Sequence, residues 1–179
     1  MIAAMRRTIP LLLLLLISRH ALAQTPLELA GGYSLAHDPR DQLTLPAGWI
    51  AGAAIGLTPA FSAVADISGQ YKTIPLLSAD ARFTVHTVMG GVRGSARLGR
   101  LTEFGQILAG VVRTSGSAFG STTTAHAIGL QPGVGIDYPV TPRWAARAEF
   151  DVRLVATQPD THEGGTQFRG AACLVYRRH

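Results

Sequence analysis

The chain has 179 residues, enough for one domain, and 47% of them are hydrophobic while only 15% are charged. That balance excludes a disordered chain, and 20 Gly without a Gly-x-y period exclude collagen. A formal charge of +5 points first to nucleic acid, and the single Cys excludes a disulfide framework or a multi-cysteine metal site.

Residues 1–24 carry a positive pair, Arg6 and Arg7, then an apolar run from Leu11 to Ile17, then Ala21-Leu22-Ala23 before Gln24. This is the pattern of a secretory signal peptide over residues 1–23, leaving a mature domain over 24–179. The apolar run is shorter than the roughly 18–20 residues that a membrane-spanning helix needs, and Arg19 and His20 close it. The only Cys is Cys173, so a lipid anchor at the cleavage point is not expected. Removing Arg6, Arg7 and Arg19 leaves thirteen basic and eleven acidic residues, a charge of +2 that does not suit nucleic acid.

The mature sequence shows a period of two, the signature of strands, rather than helical periodicity. Leu27 to Leu35 sets Leu27, Leu29, Tyr33 and Leu35 against Glu28 and Ser34. Gly48 to Leu57 sets Trp49, Ile55 and Leu57 against small residues. Phe61 to Tyr71 alternates Phe61, Ala63, Ala65, Ile67, Gly69 and Tyr71 with Ser62, Val64, Asp66, Ser68 and Gln70. In Phe83 to Arg97, Arg93 shares parity with Phe83, Val85 and Met89, which suggests a bulge near Gly90-Gly91. In Leu101 to Arg113, Gln106 shares parity with Phe104, Leu108 and Val112, and the pattern leaves both facings open. Ala127 to Tyr138 opposes Ile128, Leu130, Val134, Ile136 and Tyr138 to Gln131 and Asp137. Arg143 to Val155 is the clearest: Trp144, Ala146, Ala148, Phe150, Val152 and Leu154 on one face, Arg147, Glu149, Asp151 and Arg153 on the other. Gln167 to Arg177 closes the set, with Phe168, Leu174 and Tyr176 opposing Arg169 and Cys173.

Eight strands are therefore expected. The connections Ala36–Ala47, Lys72–Arg82, Thr114–Thr123 and Ala156–Gly165 are long, and those between them are short. An up-and-down membrane barrel with trimmed turns at one end and four elaborated external loops at the other gives such alternation. The aromatics fall into two belts. Phe61, Phe104, Tyr138, Trp144 and Tyr176 fall at the turn end, and Tyr33, Trp49, Tyr71, Phe83 and Phe168 at the loop end. Apolar faces then look outward to lipid. Glu28, Asp66, His86, Asp137, Arg147, Glu149, Asp151, Arg153 and Arg169 are placed in the lumen, where charges of both signs form a packed plug rather than an ion path.

Leu29-Ala30-Gly31-Gly32-Tyr33-Ser34, Val64 through Tyr71 and the closing strand together resemble the small eight-stranded outer-membrane proteins of the OmpA-transmembrane-domain and opacity type. The likeness spans roughly Leu27 to Arg177. It implies an outer-membrane barrel of Gram-negative type, surrounded by outer-membrane lipid and inserted by the outer-membrane assembly machinery, and no particular activity. Such chains often end in an aromatic residue, a role that falls here to Tyr176 ahead of Arg177-Arg178-His179. No peptidoglycan-binding domain is expected after the barrel.

No catalytic, cofactor-binding or metal residues are assigned, and no cofactor is expected. His37, His86, His126, His162 and His179 show no metal-ligand spacing. A lipid-modifying enzyme would need a Ser and a His on the lipid-facing rim. His126 with Ser121 and Thr122–Thr124 comes nearest, but Glu149 and Asp151 fall on the other face. Gly133-x-Gly135 lacks the helix and Lys of a phosphate loop and reads as relief for crowded side chains. The expected role is structural or surface-interactive, through Asp38, Arg40, Asp41, Lys72, Asp80, Arg82, Asp160 and Glu163 in the loops. The competing reading is a soluble exported barrel that binds a small apolar ligand.

Overall fold

The computed structural model describes residues 26–40, 42–75, 80–156 and 165–178. The signal-peptide reading of residues 1–23 lies outside these, as do Asp41, Asp160, Glu163, His162 and His179. The strands are β1 (Leu27–Asp38), β2 (Leu43–Leu45), β3 (Ala47–Gly56), β4 (Phe61–Pro75), β5 (Asp80–Leu98), β6 (Leu101–Ala118), β7 (Ser121–Pro139), β8 (Trp144–Val155) and β9 (Gly165–Arg178). Neighbours pair antiparallel, and β9 closes on β1. The short β2 and β3 both pair with β1 and make one stave, so the wall is the expected eight-stranded up-and-down barrel.

Closure shows in the register. Paired positions run from Leu27 through Ile55, Ala63, Val92, Ile107 and Pro132, cross β8, and reach β9 at Phe168. Phe168 pairs with His37, ten positions beyond the starting residue on β1. That stagger goes with strands tilted by roughly 35–45° to the barrel axis.

The bulge expected at Gly90-Gly91 is absent. Gly90 faces Ala65 and Gly91 faces Val64 in an unbroken ladder, and the β6 side is equally regular. Arg93 shares parity with Val85 and Met89 because all three point inward, where all are buried. Gly91 has a different task. A Cβ there would strike the carbonyl of Ile107 and the Cα of Leu108 on β6, so only glycine admits the local approach of the two backbones. The bulge in the wall lies elsewhere. Between the pairs Tyr33–Trp49 and Ala36–Leu45, two residues of β1 oppose three, Pro46 among them. Pro46 has no N–H to give the ladder, which suits it to that position.

Among the described residues, the expected long connections are largely ladder. Thr114–Thr123 is a hairpin whose turn is Phe119-Gly120 alone, both at positive φ (51° and 78°). Asp38, Lys72, Asp80 and Arg82 sit in strands, and only Arg40 lies in a turn, where its N–H donates to Asp38 Oδ1 at 3.0 Å. Among the described residues, the extra length at the loop end is strand running on past the wall.

Inside and outside are inverted relative to a water-soluble barrel. Trp144, Phe150, Val134 and Ile128 are exposed on the outer wall, Ile128 by 71%, while Asp137, Asp151, Arg153 and Arg169 are at most 1% exposed inside. The outward run from Phe61 to Tyr71 on β4 covers about 25 Å along the axis at ordinary strand rise and tilt, the height of an outer-membrane apolar band.

Candidate functional site: lumen and rims

The alternation of β8 aims Arg147, Glu149, Asp151 and Arg153 into the lumen, and β9 adds Arg169 and Arg177. Arg169 is the hub. It donates to Asp66 Oδ1 and Oδ2 (3.1 and 3.0 Å), Glu149 Oε1 (2.7 Å) and Asp151 Oδ2 (2.9 Å). Arg147 grips Asp137 at 2.7 and 2.8 Å and reaches Glu28 at 3.1 Å. Arg177 bridges Glu28 and Asp137. Arg93 donates to Gln106 Oε1, and Gln106 passes the chain on to Glu149 and Asp151. Arg153 donates to Gln131 Oε1 and Gln167 Oε1. The cluster holds five carboxylates (Glu28, Asp66, Asp137, Glu149, Asp151) and five guanidinium groups (Arg93, Arg147, Arg153, Arg169, Arg177), a balance that keeps burial affordable.

Eight of the nine lumen residues expected from sequence are there. His86 is the exception. It sits on the outer wall, where its Nε2 lies 3.1 Å from the Tyr71 hydroxyl and its ring stands edge-on to Tyr71. Trp49 Nε1 donates to the same hydroxyl at 3.0 Å. The three side chains roof over Gly69, whose missing Cβ leaves them room. The parity of β5 decides this: Val85 and Thr87 point inward, so His86 between them must point out.

Two aromatics assigned to the rims also move. Phe104 is buried, with the guanidinium carbons of Arg93 and Arg147 at 4.3 and 4.6 Å from its ring centre. The ring face offers both cations a cation–π contact, and Glu28 lies within 3.5 Å of both. Phe83 shares the inward parity of Val85 and packs over Gly116. The other eight rim aromatics keep their outward parity. Trp144 lies against Tyr176 with ring centres 5.1 Å apart at the turn end, and Phe150 stacks on Phe168.

Sequence reasoning missed Arg93, Gln106 and Arg177 in the network, and it missed the other half of the lumen. Val85, Met89, Leu108 and Val112 form an apolar cluster with Leu45, Ala54 and Val64 on the inner wall. Both faces of β5 and β6 are thus apolar, which blurred their alternation. Gln106 sharing parity with Leu108 was the available signal.

The lumen is filled. The cavity between Glu28, Asp66, Arg93, Arg147 and Cys173 holds only about 20 Å³, room for one water. Cys173 is a buried packing residue beside it. Gly133 and Gly135 are spaces for the Asp151 carboxylate and the Phe104 ring, not a phosphate loop. His126 lies on the outer wall across from Arg113, with Glu149 and Asp151 inside the barrel. Among the described residues, no three His, Cys, Asp or Glu side chains gather as metal ligands.

A closed antiparallel wall with ionic side chains inside and apolar ones outside defines the architecture of a small transmembrane β-barrel. Solved structures agree. The chain is similar to Ail, the attachment invasion locus protein of Yersinia pestis, solved in complex with the heparin analogue sucrose octasulfate. The TM-score is 0.64 at 15% identity, covering 87% of this chain and all of Ail. It is similar to Neisserial surface protein A (TM-score 0.63, 14% identity, 85% and 94% of the two chains). It is also similar to the N-terminal β-barrel domain of Pseudomonas aeruginosa OprF (TM-score 0.56, 10% identity, 87% and 98%). At these identities the likeness establishes the fold. No family model and no curated protein matches the sequence.

Proposed function

We propose that this chain is exported by a cleaved signal peptide over residues 1–23 and resides in the outer membrane, inserted by the assembly machinery. Its role there is structural or surface-interactive, without catalysis. The observation that carries this reading is the inversion: a balanced ionic network in the lumen and an apolar outer wall edged by Phe61, Tyr138, Trp144 and Tyr176 at one end and by Tyr71, Trp49 and His86 at the other. A water-soluble barrel with that wall would expose an apolar belt far larger than monomers tolerate. Among the described residues, the cavity within the ionic network holds only about 20 Å³, too little for a small apolar ligand, which disfavours the soluble-binder reading. A lipid-modifying enzyme is disfavoured because Glu149 and Asp151, the carboxylates considered for it, point into the lumen and pair with Arg169 there.

The loop end would then face outward, with the β6–β7 hairpin as its main projection and Phe119, 68% exposed, at the tip. Ail was solved with a sulfated sugar, so heparin is the first probe for this end, which carries Arg40, Lys72, Arg82 and Arg113 beside Asp38 and Asp80. Fractionation tests the whole reading. The protein should stay with outer membranes through carbonate and urea washes and migrate faster unheated than heated in detergent gels. Protease on intact cells should cut within 72–82 or 156–165 and spare the turns. Recovery in the soluble periplasmic fraction would refute it.

A further inference from the structure

Towards the turn end the outer wall carries an acidic side chain that the lumen network does not explain. Glu103 on β6 points outward beside Ala96 and Ile136, its register partners on β5 and β7. It is exposed and forms no ion pair among the described residues. A carboxylate on the lipid-facing side, close to an aromatic girdle, calls for a partner. Above it runs a groove of about 770 Å³, floored by Gly94 and Gly105 and walled by Phe61, Val134 and Phe150. The floor is deep because Gly94, Gly105 and Val134 lie in one register row and the first two lack side chains. The groove is apolar except at its Glu103 end. The arginines of the β5–β6 hairpin lie elsewhere: Arg97 has the inward parity of Arg93, and with Arg100 it lines a separate cleft beside Thr102 and Arg177 at the turn-end mouth.

We propose that this groove is a binding site for an aminophospholipid of the turn-end leaflet. One acyl chain lies between Phe61 and Phe150, and the headgroup ammonium meets Glu103. The charge pattern selects that occupant. An anionic headgroup would be repelled by Glu103, and a bare acyl chain would leave Glu103 unmatched. A quaternary ammonium has the charge but no N–H to donate. The inference rests on the membrane reading above.

The test uses the full mature chain in detergent, loaded with one phospholipid at a time and read by native mass spectrometry. Phosphatidylethanolamine should be retained roughly tenfold better than phosphatidylglycerol or phosphatidylcholine, the scale of one charge-assisted hydrogen bond. Glu103→Gln should remove that preference while leaving retention at the phosphatidylcholine level. Gly105→Leu should displace all three lipids, since a Cβ at Gly105 has only a backbone oxygen at 4.0 Å and the side chain would occupy the groove. Ala96→Leu fills the same groove from β5 and stands in if the first variant does not fold. Equal retention of phosphatidylethanolamine and phosphatidylglycerol by the unaltered protein, or full retention by a folded filled-groove variant, would overturn the proposal. Heat-modifiable migration in lipid-free detergent reports the barrel separately, so its loss would strike the membrane reading and not the headgroup choice.

Discussion

At the scale of single residues, the lumen is governed by what a buried charge costs when its partner is removed. Arg169 is fully buried and serves Asp66, Glu149 and Asp151 at once. Arg169→Leu would leave Asp66 and Asp151 without a cation and Glu149 with only Arg93 at 3.9 Å, a loss of about 3–5 kcal/mol for a broken buried pair. Urea unfolding in micelles, followed by the fluorescence of Trp49 and Trp144, should show a midpoint lowered accordingly. An unchanged midpoint would mean that water or ions replace the guanidinium freely. Arg169 and its acids were legible in the sequence because each lies on a strand whose other face is cleanly apolar. Arg93 and Phe104 were not, because their strand faces carry Val85, Met89, Leu108 and Val112 as well. Alternation separates faces only when the faces differ in polarity.

At the scale of elements, strand length and register hold the surprises. β8 read correctly from end to end because charge and hydrocarbon alternate strictly along it. β6 and β7 run five residues or more past their expected ends, since Ser115–Thr124 and Ser117–Thr122 hydroxyl pairs at 3.1 and 2.8 Å continue the ladder. A Ser/Thr-rich stretch looks like a loop by composition, yet cross-strand hydroxyl pairs suit a sheet. The turn that ends this ladder puts Phe119 at φ 51°, a conformation that costs a non-glycine residue about 1 kcal/mol. Phe119→Asn should therefore raise stability by about that amount in the same unfolding assay. Gly91→Ala should do the opposite. Its new methyl group meets β6 backbone that cannot step aside, so refolding yield in detergent should fall sharply, whereas Gly105→Ala, facing open space, should leave it unchanged.

At the scale of the whole molecule, two plugs of different chemistry share one narrow cylinder. The ionic network is rooted on β8 and β9 and reaches round to Glu28, Asp66, Arg93, Gln106 and Asp137, while the apolar cluster lines β2 to β6. The sequence made the first visible and hid the second, so a lumen closed by charge alone was the natural expectation. The distinction matters for permeation. A purely ionic plug could be loosened by removing its hub, opening a wet path along the freed carboxylates. Here Leu108 is completely buried and packs with Met89 and Val112 across the remaining space, so ions would still meet hydrocarbon. In planar bilayers the unaltered protein should give no stepwise conductance, and Arg169→Leu should give none either. The double variant Arg169→Leu with Leu108→Ala removes material from both plugs and is the one expected to pass current. Steady ohmic steps from the unaltered protein would show that the two plugs part on their own. Steps from Arg169→Leu alone would show that the apolar half does not seal.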